Sequence, residues 1–356
     1  MLHRRLPFKT LQKMQEEQLE QSGGIVFAYQ KPIIPSGKLP SARGGASIVF
    51  ADNKLVTFGG HFYAGNDKFE YLDDTWLLDT EKLVWHQMKC SGEIPGKRYG
   101  HTAHLLGSRM YIFGGKGPSN EYYKDVYFLD LTEWVWVRVN TISQGPSPRF
   151  YHAAELVGRK IVVHGGWDGS TQAFDDLWIF NTDSFSWMQP KISGFAPSPR
   201  YGHSITLVPD GRIILFGGVA FTEDGVPKYC DDVRQLDTDT MIWSRPRVNG
   251  ATPTGRYGHS ATLLDNGCIA VFGGWGRGGC QCKESINDSK AHSLQVLDTA
   301  SMTWWVPRRV GKKAPRHLHN HGATRAGSAI FMFAGCDGRQ AVNEFVVLNL
   351  DLGHSS

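Results

Sequence analysis

Arg98-Tyr99-Gly100-His101, then Gly114-Gly115, then Asp125-Val126-Tyr127-Phe128-Leu129-Asp130, then Trp136: this order of residues recurs six times along the chain. The third version reads Arg149-Phe150-Tyr151-His152, Gly165-Gly166, Asp176-Leu177-Trp178 and Trp187. The fourth reads Arg200-Tyr201-Gly202-His203, Gly217-Gly218, Asp232, Asp237 and Trp243. The fifth reads Arg256-Tyr257-Gly258-His259, Gly273-Gly274, Asp298 and Trp304. A looser first version has Arg43, Gly59-Gly60, Asp74, Asp79 and Trp85, and a worn sixth has Arg316, His321, Ala334-Gly335, Asn343 and Asn349. The opening arginines stand 55, 51, 51, 56 and 60 residues apart. A repeat of that length with several short apolar runs is the mark of a β-propeller blade.

Each repeat holds four strands. In the second, strand A is His101–Leu106, B is Met110–Phe113, C is Val126–Leu131 and D is Trp136–Val139, all rich in β-branched and aromatic residues and bounded by Gly and polar clusters. Asp210-Gly211 and Asn266-Gly267 are hairpin turns between A and B. The sixth repeat has strands A to C and no D, whereas the apolar run Ile25–Gln30 has no repeat of its own. That run is expected to pair beside Val346–Leu350 and close the ring, so that no blade edge stays open. The organisation expected is a tail over residues 1–24, helical or disordered, and a six-bladed all-β propeller of four-stranded blades over 25–352.

The double glycine, the spaced aromatics and the six-fold recurrence resemble the kelch repeat family, over about residues 25–350. The resemblance implies a six-bladed propeller. It also implies a class of adaptors: ubiquitin-ligase substrate receptors, cytoskeletal scaffolds and vesicle-traffic effectors. Only about 24 residues precede the first blade, so no ligase-recruiting segment such as a BTB or F-box is expected there.

Composition narrows the reading further. The chain has 356 residues, a net charge of +4 and 20% charged residues, with no run of 18 apolar residues that would span a bilayer. Met1–Gln21 is charged and polar, unlike a secretory signal. The six cysteines do not follow the repeat, so reduced thiols and a cytoplasmic or nuclear location are expected. No nucleic-acid motif, Gly-x-Ser-x-Gly elbow or phosphate-binding loop is present.

Strand direction places the B–C and D–A loops on one face. The B–C loops are long and unalike, and varied loops on a rigid scaffold are where binding usually resides. Their aromatic and charged residues make Phe62, Tyr63, Tyr122, Tyr123, Trp167, Asp168, Phe221, Trp275, Arg277 and Arg339 the partner-binding candidates. The opening arginines, as repeated residues, read as architecture, each paired with an Asp or carbonyl of a neighbouring blade. The alternative is a ring that grips an acidic peptide. Repeated histidines and tryptophans likewise read as core parts.

Three motifs fall outside the repeat. Glu284, Asp288 and His292 resemble the iron-associated spacing of plant nitrile-specifier proteins, yet Glu284 lies ten residues past Gly274 and its surroundings do not match. His317-x-His319-x-His321 alternates, but His321 is a repeat position. Arg308, Arg309, Lys312, Lys313 and Arg316 form a basic loop. The reading therefore assigns no cofactor, no metal and no catalytic residue. It expects a non-catalytic module that binds a protein or peptide, with a metal-dependent enzyme through Glu284, Asp288 and His292, or a small-molecule or sugar binder in the central pocket, as alternatives.

Overall fold

A computed structural model describes residues 26–30, 32, 34, 37–170, 173–276, 294–310 and 318–351. Six antiparallel sheets stand in a ring, one per repeat. Strands A to D are Ser47–Ala51, Lys54–Phe58, Thr75–Asp79 and Val84–Met88 in blade 1, and Thr102–Leu106, Arg109–Phe113, Val126–Asp130 and Val135–Arg138 in blade 2. They are Ala153–Val157, Lys160–His164, Leu177–Asn181 and Ser186–Met188 in blade 3, and Ser204–Leu207, Arg212–Phe216, Val233–Asp237 and Ile242–Ser244 in blade 4. Blade 5 has Ser260–Leu263, Cys268–Phe272, Leu294–Asp298 and Thr303–Trp305. Blade 6 takes Gly322–Ala326, Ala329–Phe333 and Phe345–Asp351 from the end of the chain and Val26–Gln30 from its start.

The closing strand pairs antiparallel to strand C of blade 6, from Val26 opposite Asp351 to Gln30 opposite Val347. The expected closure is therefore observed. Its register puts Tyr29 opposite Leu348, as Trp136 stands opposite Leu129 in blade 2. Tyr29 thus holds the backbone position of the repeat tryptophan, and Phe27, two residues before it on the strand, packs in one cluster with Phe272 of blade 5.

Two details depart from the sequence reading. Several D–A loops carry a short fifth strand that pairs parallel to strand D of the next blade: Ser91–Gly92, Ser193–Gly194, Asn249–Gly250 and Arg308–Val310. These segments cover outer edges that would otherwise present unpaired backbone groups. In blade 6 the residue in register with Asp74, Asp125 and Asp176 is Glu344, not Asn343, because the Ala334 N–H donates to the Glu344 carbonyl as Gly59, Gly114 and Gly165 donate to those aspartates.

The core lies in the seams between blades. Each strand-D tryptophan meets the aromatic residue that ends strand B of the blade before it: Trp136 on Phe58 at 4.8 Å, Trp187 on Phe113 at 5.0 Å, Trp243 on His164 at 5.4 Å and Trp304 on Phe216 at 5.0 Å. The repeat histidines tie the same seams. His101, His152, His259 and His321 hydrogen-bond the hydroxyls of Ser47, Thr102, Ser204 and Ser260 at 2.8, 2.8, 2.9 and 2.9 Å. Blade 3 has Ala153 where the hydroxyl would be. There His164 supplies the missing partner to His203 at 3.0 Å. Burial drives these imidazoles neutral, to about 3 for His101, His164 and His259.

At the axis a closed circle of six backbone hydrogen bonds links every blade. Gly45 donates to Asn320, Asn320 to Gly258, Gly258 to Gly202, Gly202 to Tyr151, Tyr151 to Gly100 and Gly100 to Gly45, at 2.7–2.9 Å. All six residues are left-handed, with φ between 51° and 66°, which is why four are glycine.

Two predictions follow from the seams. Trp136→Ala, which empties a site 1% exposed, should cost about 3–5 kcal/mol by denaturant unfolding. Glu155 lies between the inner strands of blades 3 and 4, where its carboxylate accepts the Leu156 and Leu207 N–H groups, and burial raises it from 4.5 to about 7. A raised acid costs the fold stability as pH climbs from the unfolded to the folded value. Glu155→Gln should accordingly gain up to about 1–3 kcal/mol over wild type at pH 8, and the gain should vanish below pH 4.5. A pH-independent difference would contradict this account.

Candidate functional site

The opening arginines build the floor of one face. Arg43, Arg98, Arg149 and Arg200 are 0–2% exposed, and each donates through Nη1 to the carbonyl of the first glycine of its pair. Each also clamps the aspartate of its own blade through both Nη atoms: Asp74 at 2.7 and 3.0 Å, Asp125 at 2.6 and 3.2 Å, Asp176 at 2.6 and 2.9 Å, and Asp232 at 2.7 and 3.2 Å. Arg256 binds the Gly273 carbonyl in the same way. The arginines are architecture, but their acid lies within the blade and not in a neighbour. Burial works to raise the Asp74, Asp176 and Asp232 carboxyls. The paired guanidinium more than offsets it, and all three end below the usual range.

This anchor fixes the loops above it. In blade 6 the place of the opening arginine belongs to Leu318, not Arg316, because the Gly274 N–H donates to the Leu318 carbonyl as Gly115 donates to Arg149. The residue after this position exchanges backbone hydrogen bonds with the residue after each glycine pair: Gly44 with His61, Tyr99 with Lys116, Phe150 with Trp167, Tyr201 with Val219, Tyr257 with Trp275, and His319 with Cys336. The D–A and B–C loops therefore share a face around the axis. Two B–C loops rise from it as hairpins, His61–Gly65 with Lys68–Tyr71 and Val219–Phe221 with Pro227–Tyr229.

The side chains at these positions touch in series. Ring centroids run Tyr71–Tyr99 at 5.7 Å, Tyr99–Phe150 at 5.8 Å, Phe150–Trp167 at 5.4 Å and Trp167–Tyr201 at 5.0 Å. The series continues Tyr201–Tyr257 at 6.2 Å, Tyr257–His319 at 6.2 Å and His319–Trp275 at 5.0 Å. Tyr122 joins at Phe150, and Phe221 joins at Trp167 and Tyr201. Most of these rings are half-buried, so one side of the strip meets solvent. Only blade 1 has glycine at this position, and its notch is filled by the Cys336 thiol, since a Cβ on Gly44 would stand 2.6 Å from it.

Of the sequence candidates, Tyr122, Trp167, Phe221 and Trp275 come together in the strip. Tyr63, 50% exposed, stands out on the first hairpin against Phe69, with Phe62 half-buried beside it. Tyr123 lies over the Arg98 guanidinium, 4.1 Å from the ring centre, and donates to Glu121, so it lids the anchor. Asp168 accepts the Ser170 N–H inside its loop, and Arg339 is exposed on a turn held by Asp337. Arg277, Glu284, Asp288, His292, His317, Lys312, Lys313 and Arg316 lie outside the described residues. Among the described residues no three His, Cys, Asp or Glu side chains gather as a metal site, and no helix is long and apolar enough to cross a membrane.

The sequence reading missed Tyr71, Tyr99, Phe150, Tyr151, Tyr201 and Tyr257. Four of these follow or lie next to the opening arginine, and their recurrence made them look like core. The signal was the exception, Gly44 and His319 where the other copies have an aromatic.

The anchor makes its own prediction. Asp176→Asn leaves the Arg149 guanidinium buried without its counter-charge, at a cost of about 3 kcal/mol. Because the Asp176 carboxyl is depressed, the gap from wild type should be full above pH 4 and close as the pH falls, in urea unfolding across that range.

Comparison with known proteins adds to this geometry. The model of the KLHDC2/KLHL20/DRC7 Kelch-repeats domain matches residues 45–274 and 227–355. The chain is 29% identical to host cell factor of Drosophila melanogaster over 354 residues, 90% of this chain and 22% of that protein. It is 29% identical to acyl-CoA-binding domain-containing protein 4 of Arabidopsis thaliana, over 91% of this chain and 46% of that one. It is 27% identical to human host cell factor 2, over 87% of this chain and 42% of that one. The chain thus spans less than half the length of each of these relatives.

Proposed function

The chain belongs to the kelch-repeat family, and from that premise we propose that it is a non-catalytic interaction module whose D–A/B–C face holds a protein partner. Kelch and host cell factor relatives fit a protein-interaction module in general terms. The adaptor role, the choice of face and a cytoplasmic or nuclear place of action belong to this proposal.

The observation that carries it is the strip from Tyr71 to Trp275. A propeller of this kind could have closed its face with small residues, as Gly44 does in blade 1. Instead, four or more blades contribute rings that keep one side toward solvent, which is the composition of an interface core. The repeated histidines are locked in the seams as neutral hydrogen-bonding groups. They are poor candidates for acid–base chemistry at the face.

Affinity capture from lysate, comparing wild type with Trp167→Ala/Trp275→Ala/Arg339→Ala, tests this. The variant should keep its melting temperature within a few degrees, because these side chains lie above the anchored floor. It should lose a partner that wild type retains. Unchanged capture of every partner would overturn the choice of face.

A further inference from the structure

We infer that the strip recognises a proline-rich segment of its partner in the polyproline II conformation. The inference rests on the reading of this face as a protein-binding surface and specifies what that surface takes.

The first ground is hydrogen bonding. Phenols converge on the channel mouth. Those of Tyr71, Tyr122 and Tyr257 are close enough to raise the Tyr99 hydroxyl further after burial has raised it. Those of Tyr99, Tyr257 and Tyr201, with the Cys336 thiol, do the same to Tyr151. Tyr151, of blade 3, is itself part of the axial circle, and its ring meets that of Tyr99 at 5.7 Å. Among the described residues, the hydroxyls of Tyr71, Tyr99, Tyr122, Tyr151, Tyr201 and Tyr229 have no hydrogen-bond partner. The mouth therefore offers a row of donors. A polyproline II segment is the complementary object: its carbonyls are all unpaired, and its prolines bring no N–H that needs an acceptor.

The second ground is charge. The buried arginines that could have gripped an acidic segment are already neutralised by Asp74, Asp125, Asp176 and Asp232. Around the mouth the carboxylates are engaged too, Asp168 by Ser170, Glu121 by Tyr123 and Asp337 by its own turn. Lys116 has no carboxylate partner among the described residues, but its ammonium lies over Tyr122 and Phe150, at 5.2 and 5.7 Å from the ring centres. It so fills the place where a cation of the partner would sit. What is left free to meet a ligand along the strip itself is aromatic rings and phenols, and these suit a segment that carries no charge of its own.

The third ground is shape. Successive rings are 5.0–6.2 Å apart, about the rise of two residues of polyproline II at roughly 3.1 Å each. Pyrrolidine rings can stack on exposed aromatic faces at that spacing. A ligand that is extended before binding loses little entropy on a floor this rigid.

Selection from a displayed library of random peptides of about a dozen residues, against the full chain and counter-selected on Trp167→Ala, tests the inference. Enriched peptides should be rich in proline. Tyr99→Phe/Tyr201→Phe keeps both rings and removes two donors, so it should weaken them about ten- to a hundred-fold without moving the melting temperature. Peptides that need Trp167 but carry acidic or other non-proline motifs would overturn this inference and leave the protein-binding reading standing. So would proline-rich peptides that are indifferent to the two hydroxyls. If no enriched peptide depends on Trp167, the inference and the choice of face both fall.

Discussion

A guanidinium shut away from water must have all its donors met by the protein, and that demand organises this propeller. Each anchoring arginine spends its donors on three different parts of one blade: the D–A loop just before it, the glycine pair after strand B and the aspartate before strand C. Its backbone does the complementary work between blades. The Arg149 N–H donates to Tyr123 of blade 2 and its carbonyl accepts from Gly115. One residue type thus joins strands within a blade and blades within the ring. Because an unpaired buried charge is far costlier than a lost surface contact, the arrangement tolerates little drift in the loops it holds.

The seam between blades 6 and 1 departs from the pattern in a mutually consistent way. Blade 1 has Ala46 where the other copies have histidine, and blade 6 has Gly322 where they have a hydroxyl or Ala153. With no imidazole to accommodate, the first glycine of the pair can become Ala334, which carries its Cβ at φ 63°. A Cβ on Gly322 would instead stand 2.6 Å from Ile48, so this seam is packed by an apolar side chain in place of a hydrogen bond. Here the ring also closes through the strand Val26–Gln30, and the lost clasp is offset by five residues of antiparallel ladder.

These particulars mark what was legible in the sequence. Arg, Gly-Gly and Trp recur in five blades because backbone geometry and seam packing impose the same need in each, so strand order, closure and the buried role of His101 or Trp136 could be read directly. Tyr29 was not recognised as holding the sixth tryptophan position, since equivalence there depends on register across the chain ends and not on residue type. Glu344 was passed over for Asn343 because one residue of slip reverses which side chain faces the anchor. The strip was harder still. Trp167 and Trp275 stood out as loop aromatics, while Tyr99 and Tyr201 were hidden inside the repeat. Only the pairing of Tyr99 with Lys116 and of Phe150 with Trp167 brings the two groups side by side.

That pairing is where scaffold and function meet. The anchor and the circle of backbone bonds through Gly45, Gly100, Tyr151, Gly202, Gly258 and Asn320 fix where the main chain runs at the mouth, but leave the side chains beside it free to vary. Tyr151 is the clearest case. The circle requires a left-handed residue, which glycine meets in four blades, yet blade 3 accepts the strain of a tyrosine at φ 51°. Its backbone bonds are those of a glycine, so the ring gains nothing from the substitution. What the tyrosine adds is a phenol ring at the axial circle, 5.7 Å from that of Tyr99 and 5.1 Å from that of Phe150. A strained residue that contributes nothing to the scaffold's own bonding is better explained by what it presents to a ligand than by the fold.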